Sequence, residues 1–453
     1  MEQLWQIEKT LEQASGKQYV QHTFEVPSGI HRLKVVMRYD KPGSSQLYPS
    51  LFDAVGTYRG TRMKPSAVGE VILDFDMAQD YASAGCIPGE IVPGTWRVQL
   101  DVQWLDADTP YSITAYADDA TPEAQVFTPA VNNGRDDAGI YRGELHSHTH
   151  HSDGSAPVAD VVAAARKYGL DYLALTDHFN SAGWQELASL ADESLMVMQG
   201  IELTGHWGHG NLHGLHTWVD TFIDDGSRTI NDVIDDTHTQ GGVFSVNHPF
   251  SLNLGWRYHE LDWQRVDMLE IYHHLTGSNN VPQLGLWDAL LREGYKITGV
   301  GAIDSHDPHR GQHRLGQVFT CVQADALRPN AIINGLKQGQ CYVSLGPSLE
   351  FQASSNGHSV GVGETLDATD AVTLTARVDE LAFPAKLLVM KNGFHHMNVD
   401  LAAGEPFEFE LVDDRPVQGY YRLELYARTR SNAFEAAREW DRTLLLSNPI
   451  FIV

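Results

Sequence analysis

The residues best equipped for chemistry are histidines and carboxylates in short, spaced motifs. His146-x-His148 stands in GELHSHTHHSDG with Asp153 five residues on, and Asp304-x-His306 stands in VGAIDSHDP. Between them come Thr176-Asp177-His178, Gly200-Ile201-Glu202 and Asn247-His248-Pro249, each at the end of an apolar run. Residues two apart on a strand point to the same face, so an H-x-H or D-x-H pair can grip one ion from a rigid support. Imidazole and carboxylate suit Zn, Mn or Fe, and their nature leaves the choice among these open. No cysteine joins the set, which favours a catalytic site with open positions over a closed structural zinc site. One buried histidine is ordinarily a packing residue. Many histidines and carboxylates at one sheet edge are costly to bury unless metal satisfies them. Of the 22 histidines, 17 fall between 146 and 313, so the chemistry belongs to the middle of the chain.

The elements that must position these residues divide the 453 residues into three parts. Residues 1–138 alternate apolar and polar positions in stretches such as HRLKVVMRY, EVILDFDM and GTWRVQLDVQW, the pattern of a β-sandwich or jelly-roll-like domain. VNNGRDDAG (131–139) reads as the linker. Over 139–345 strands alternate with helices. Pro157 opens a helix with Val158, Val161, Val162 and Ala165 at helical spacing, and Gly169 ends it. Further helices are expected near 183–193, 229–242, 281–293 and 329–338. Repeated β-α units imply a parallel sheet closed as a TIM-like barrel, with the motifs at the C-terminal strand ends where barrel enzymes carry their sites. Residues 346–453 return to β pattern in TLTARVD, AKLLVMKNG, FEFELV, GYYRLELYAR and LLLSNPIFIV, an Ig-like sandwich.

The order H-x-H-(x4)-D-G, T-D-H, G-I-E, N-H-P, D-x-H resembles the PHP (polymerase and histidinol phosphatase) superfamily of metal-dependent hydrolases. The resemblance covers roughly 140–345 and implies a distorted (β/α)7 barrel holding two or three divalent ions. Gly208-His209-x-Asn211, Leu315-Gly316-x-x-x-Thr320 and Asn448-Pro449 look more narrowly like its carbaryl-hydrolase-like (CehA/McbA) branch. Carried over by position, His146, His148, Glu202 and Asp304 would hold one ion. Glu202 would bridge to a second ion, shared with His248 and a histidine soon after Glu202. Asp153, His178 and His306 would form a third site. The segment GHWGHGNLHGLH departs from the family pattern by offering four histidines for one place. The G-H-x-N pattern points to His209, and His213 is the main alternative, ahead of His206 and His216.

The reaction this implies is metal-assisted hydrolysis, most simply of a phosphoester by a metal-bridging hydroxide, with a carbamate, ester or amide as the alternative substrate. Asp177, or one of the loop histidines, is a candidate general acid. Arg310, Arg257 and Arg314 are candidates for an anionic substrate group, and Trp207 and Trp256 for apolar walls. His150 and His151 read as neighbours of the ligands, and His273 as a substrate contact or packing. The net charge of −27, from 59 acidic and 32 basic residues, disfavours a nuclease, a nucleic-acid partner and an anionic membrane. A barrel serving only as a carbohydrate- or protein-binding module would be expected to lack ligands. The three scattered cysteines and the absence of a basic-then-apolar start fit a cytoplasmic enzyme acting on a small molecule. Its β domains are candidates for capping the barrel or pairing copies.

Overall fold

The computed structural model describes residues 1–41, 43–63, 69–223, 227–274, 279–427 and 443–453, together with their side chains other than that of Gln312. Two antiparallel sheets form its first part. One runs in the order Glu2–Leu11, Thr109–Asp118, Arg32–Lys41, Gly69–Ala78, Tyr81–Ala82, and the other Gln18–Val26, Gly94–Trp104, Gln46–Phe52, Tyr58–Thr61. Alternation does the work expected of it. Leu33, Val35 and Met37 face inward from the first sheet and Trp96, Val98 and Leu100 from the second, and all six are buried in one core.

The middle strands make a single curved sheet in the order Thr298–Ala302, Met268–His273, Val243–Val246, Gly208–His213, Met196–Gly205, Tyr172–Leu175, Gly139–Glu144, Phe319–Ala324, Cys341–Ser344. Helices at Val158–Lys167, Trp184–Ser189, Ile230–Thr239, Asn280–Arg292 and Pro329–Lys337 lie near the expected positions. Thr229 caps the third of these through a reciprocal box with Asp232, satisfying two otherwise orphaned amides.

The regular parallel β-α series expected of this region is interrupted. After Gly205 the chain turns through His206 and Trp207 and returns as Gly208–His213, antiparallel to both of its neighbours. Phe319–Ala324 and Cys341–Ser344 also pair antiparallel. The sheet curls until its first strand meets its far side: the Gly301 amide donates to Thr320 Oγ1 at 3.0 Å, and that hydroxyl donates to the Gly301 carbonyl at 2.8 Å. Ser147 and Ser305 form an isolated parallel bridge across the same seam.

The sheet does not stop at residue 345. Cys341–Ser344 pairs with Thr443–Ser447, and the ladder continues through Gly419–Ala427, Ala385–Lys391 and Phe394–Leu401. A second sheet (His358–Gly361, Ser348–Ser355, Val372–Asp379, Phe407–Asp413) packs on this extension, with Phe351 and Leu374 sharing a core with Leu387 and Leu423. Arg428, which ends the GYYRLELYAR run, lies outside the described residues. Polar links tie the sandwich to the middle sheet and its helices. Asn448 exchanges hydrogen bonds with Gly299 at 2.7 and 2.8 Å, and buried Arg422 Nε donates to Asp288 of the Asn280–Arg292 helix at 2.9 Å. Among the described residues no helix is long and apolar enough to cross a membrane.

Candidate metal centre

Glu202 lies within Met196–Gly205 and is buried at the middle of the cluster. Its Oε1 is 3.2 Å from His146 Nε2, 3.3 Å from His209 Nδ1 and 3.5 Å from His248 Nε2. Its Oε2 is 2.8 Å from His178 Nδ1 and 3.5 Å from His148 Nε2. One carboxylate thus faces five imidazoles carried by four different chain segments. Asp304 Oδ1 collects His148 Nε2 at 2.9 Å, His146 Nε2 at 3.2 Å and His306 Nδ1 at 3.4 Å. Asp153 closes the other flank, 3.4 Å from His178 Nε2 and 3.3 Å from His306 Nε2.

All nine sequence-selected ligand candidates are therefore brought together. Their donor atoms form overlapping groups that could each hold an ion: His146, His148 and Glu202; His178, Glu202 and His209; His148, Asp153, His178 and His306. Two of the converging atoms, His146 Nε2 and Asp153 Oδ1, have no hydrogen-bond partner although buried. Buried polar atoms are normally paired. Orphaned nitrogen and oxygen donors converging on carboxylates fit divalent metal, so the donor set suits the ions the motifs imply.

The electrostatics of these side chains show the same convergence. Burial opposes charge on His146, but Asp304, Glu202 and Glu270 outweigh it and hold the imidazole well above its usual pKa. Burial likewise opposes charge on His178, where Asp153 and Glu202 win, and on His306, which Asp304 and Asp153 raise to about 9. Against their own burial, Glu202, Asp304 and Asp153 are held well below the carboxylate range by these histidines. The backbone is also constrained at the site. His248 (φ 26°) and Asp304 (φ 53°) adopt positive φ, as do Phe179 beside His178 and His274, strain that non-glycine residues carry mostly at functional positions.

His209 is the histidine beside Glu202. His213 shares its strand and is fully buried, but neither ring nitrogen has a partner, and burial pushes its pKa down to about 3. His206 is turned away, its Nε2 2.6 Å from Asp101 Oδ1 in the N-terminal sandwich, and His216 is exposed. His151 Nδ1 accepts from the Gly85 amide at 2.9 Å, which leaves the ring proton on Nε2 facing Glu186 at 3.7 Å. That ring is a strut between domains.

Asp177 does not face the cluster. Its two oxygens take the Thr149 amide and hydroxyl at 2.8 and 2.7 Å and the Ser152 hydroxyl at 2.6 Å, so it holds the turn after His148 and is not placed as a general acid. Arg310 is exposed, and Arg314 lies over the Tyr168 ring at 4.4 Å. Arg257 borders a separate cavity with Trp207, while Trp256 packs between Phe244 and Tyr258.

Two supporting carboxylates escaped sequence reasoning. Glu270 Oε1 is 2.7 Å from His146 Nδ1, and its Oε2 accepts the His248 amide at 2.9 Å and lies 3.1 Å from His273 Nδ1. Glu144 Oε1 accepts the amides of His146 and Ile303, and burial raises its pKa to about 8. Their signal was present as a lone acidic residue inside an apolar run, in LEIYHH and GELH. His273 Nε2 lies 3.7 Å from Asp304 Oδ2, so this ring borders the cluster.

Among solved structures the chain is similar to a two-domain protein from Bacteroides vulgatus containing a predicted PHP-like metal-dependent phosphoesterase (15% identity, 72% of this chain and 100% of that one, TM-score 0.40). It is also similar to a putative metal-dependent phosphoesterase from Bifidobacterium adolescentis (18% identity, 42% and 91% of the two chains, TM-score 0.30). A third likeness is to an amidohydrolase from Chromobacterium violaceum (16% identity, 37% and 88%, TM-score 0.28). No curated protein sequence matches it. Residues 144–241, which carry His146 through His209, match the family model described as PHP domain, and this part of the chain is a PHP domain.

Proposed function

We propose that the protein is a metal-dependent hydrolase of small phosphoesters, working from a centre of two or three divalent ions. The observation that carries this reading is Glu202, whose two oxygens are shared among His146, His148, His178, His209 and His248. A carboxylate so placed suits bridging. On this reading His146, His148, Glu202 and Asp304 would hold one ion, Glu202, His209 and His248 a second, and Asp153, His178 and His306 a third. Bound divalent ions acidify water and stabilise both the attacking and the leaving oxygens of a displacement. We read the curled sheet as the distorted barrel of the PHP superfamily.

The chain's own residues orient that chemistry. Glu270 accepts a hydrogen bond from His146 Nδ1–H and so turns the bare Nε2 toward Glu202 and Asp304. Asp177 fixes the turn that carries His148. Asp304 and His306 remain partly open, with side chains 14% and 34% exposed, and mark the face from which substrate enters.

A second reading, hydrolysis of a neutral ester or carbamate as in the carbaryl-hydrolase-like branch, is favoured by the surroundings. Arg310 points into solvent and Arg314 onto Tyr168. The segment after His248 exposes Phe250, Leu252 and Leu254, which suit an apolar leaving group. Metal-loaded protein assayed with an aryl phosphate and the matching aryl ester separates the two. Phosphate turnover that vanishes in Asp304→Ala supports the first, and ester turnover alone would replace it with the second.

A further inference from the structure

Arg257 does not reach the metal cluster, and its actual surroundings describe a different site. The His206–Trp207 tip, between the strands that carry Glu202 and His209, projects against the N-terminal sandwich. There a cavity of about 810 Å³ opens, walled by Lys17 and Tyr19 from the sandwich, His206 and Trp207 from the tip, and Arg257 and His259 from the segment after His248. This is the size of a typical small-molecule site.

Its chemistry is unusual for so acidic a protein. Lys17 and Arg257 border one space: burial works against charge on the lysine, the Asp101 carboxylate favours it, and the Arg257 guanidinium opposes it. Neither side chain takes part in an ion pair among the described residues. Lys17 Nζ donates to the His206 carbonyl at 2.5 Å, and Arg257 Nη2 reaches only the Leu252 carbonyl at 3.4 Å. The buried Asp101 carboxylate, whose charge is felt by Lys17, makes its hydrogen bonds elsewhere, one oxygen 2.6 Å from His206 Nε2 and the other accepting from Gln103 at 2.8 Å. Glu260 at the lip is exposed. Lys17 Nζ stands 5.6 Å from the Trp207 ring centroid, and Trp207 is 49% exposed. The walls are firm, since the His206 ring stacks on Tyr19 at 4.7 Å and the Arg257 amide donates to the Trp207 carbonyl at 2.6 Å.

We propose that this cavity is a second ligand site, separate from the metal centre, for a small organic anion with a planar ring. Its phosphate or carboxylate would lie between Lys17 and Arg257, and its ring on the open face of Trp207. Two unpaired cations facing one cavity repel one another, and an anion between them removes that cost while gaining charge-assisted hydrogen bonds. The ring adds stacking and displaces water from the tryptophan face. The site uses no metal ligand, so it stands or falls independently of the hydrolase reading.

Phenylphosphonate, which the proposed hydrolase chemistry would leave intact, is the probe, with methylphosphonate as its ringless counterpart. Calorimetric titration and tryptophan fluorescence should show phenylphosphonate binding that persists after a chelator has stripped divalent metal. The double variant Lys17→Ala/Arg257→Ala should weaken it by roughly tenfold or more, and Lys17→Arg/Arg257→Lys should retain it. Trp207→Ala should erase the preference for phenyl over methyl. Binding that disappears with the metal, or that the double alanine variant leaves unchanged while the protein melts normally, overturns the proposal.

Discussion

Glu270 Oε1 lies 2.7 Å from His146 Nδ1, and both groups are buried. A carboxylate behind a ligating histidine fixes its tautomer and raises its basicity. Here the same carboxylate also receives the His248 amide. Glu270→Gln is therefore expected to keep the fold and lower metal affinity by about 10–100-fold. Competition titration against a chromogenic chelator reads this directly, and wild-type affinity in the variant would remove Glu270 from the account.

Loading the site should release protons. Carboxylates hold His146 and His178 charged in the metal-free protein, against the effect of burial, and hold His306 charged up to about 9. An imidazole must be neutral to bind metal, so affinity should climb as pH rises toward about 9. The sign reverses for the metal-free fold. Its His306 contribution is complete below the unfolded value of about 6.5 and is lost as pH passes through the raised one. Proton uptake on adding Zn or Mn to unbuffered protein would contradict this scheme.

His209 and His213 should separate cleanly. His209→Ala is expected to lose metal, because its Nδ1 faces Glu202 at 3.3 Å. His213 is buried with both nitrogens unpartnered, and an unsatisfied buried polar group costs about 1–3 kcal/mol. His213→Leu, close in volume, should leave metal content unchanged and melt at or above the wild-type temperature. Elemental analysis with a thermal melt of each variant decides, and metal loss in His213→Leu would exchange their roles.

The C-terminal sandwich carries its own acid sensitivity. Asp413 accepts from Tyr421 Oη at 2.5 Å, from the Arg415 amide at 3.0 Å and from Lys391, and against partial burial these lower its pKa to about 2. A depressed carboxylate stabilises the fold above its unfolded pKa of about 4, and that stabilisation fades as pH falls toward the folded value. Asp413→Asn should cost roughly 2 kcal/mol at neutral pH, with the gap to wild type closing below about pH 4. Parallel denaturation curves at pH 7 and pH 3 test it, and an equal deficit at both would dissociate the effect from ionisation.

The ligand cluster was legible because metal chemistry restricts residue type and strands restrict spacing. His146-x-His148 and Asp304-x-His306 needed only those two rules. The choice of His209 over His213 was not, since both lie on one face of one strand and only distance to Glu202 separates them. Asp177 misled because adjacency to His178 in sequence says nothing of where a turn sends its hydroxyls. The regular β-α reading failed at Gly205–Gly208. There a two-residue turn, with Gly208 at φ 139° against Trp256, folds the chain straight back. An apolar alternation cannot announce the direction of the strand it builds. Glu144 and Glu270 were hidden for a related reason, because an acid inside an apolar run has no partner until the fold supplies one.

The shared ladder between Cys341–Ser344 and Thr443–Ser447 gives the C-terminal sandwich a custodial role. Cutting the chain at residue 345 would strip the partner from Cys341–Ser344 and leave its amides and carbonyls as an open edge, a template for aggregation. The same cut removes Asn448, which clamps Gly299 five residues before Asp304. A catalytic fragment trimmed to the motif-bearing region should therefore be insoluble or slack at Asp304, whatever the sandwich itself binds.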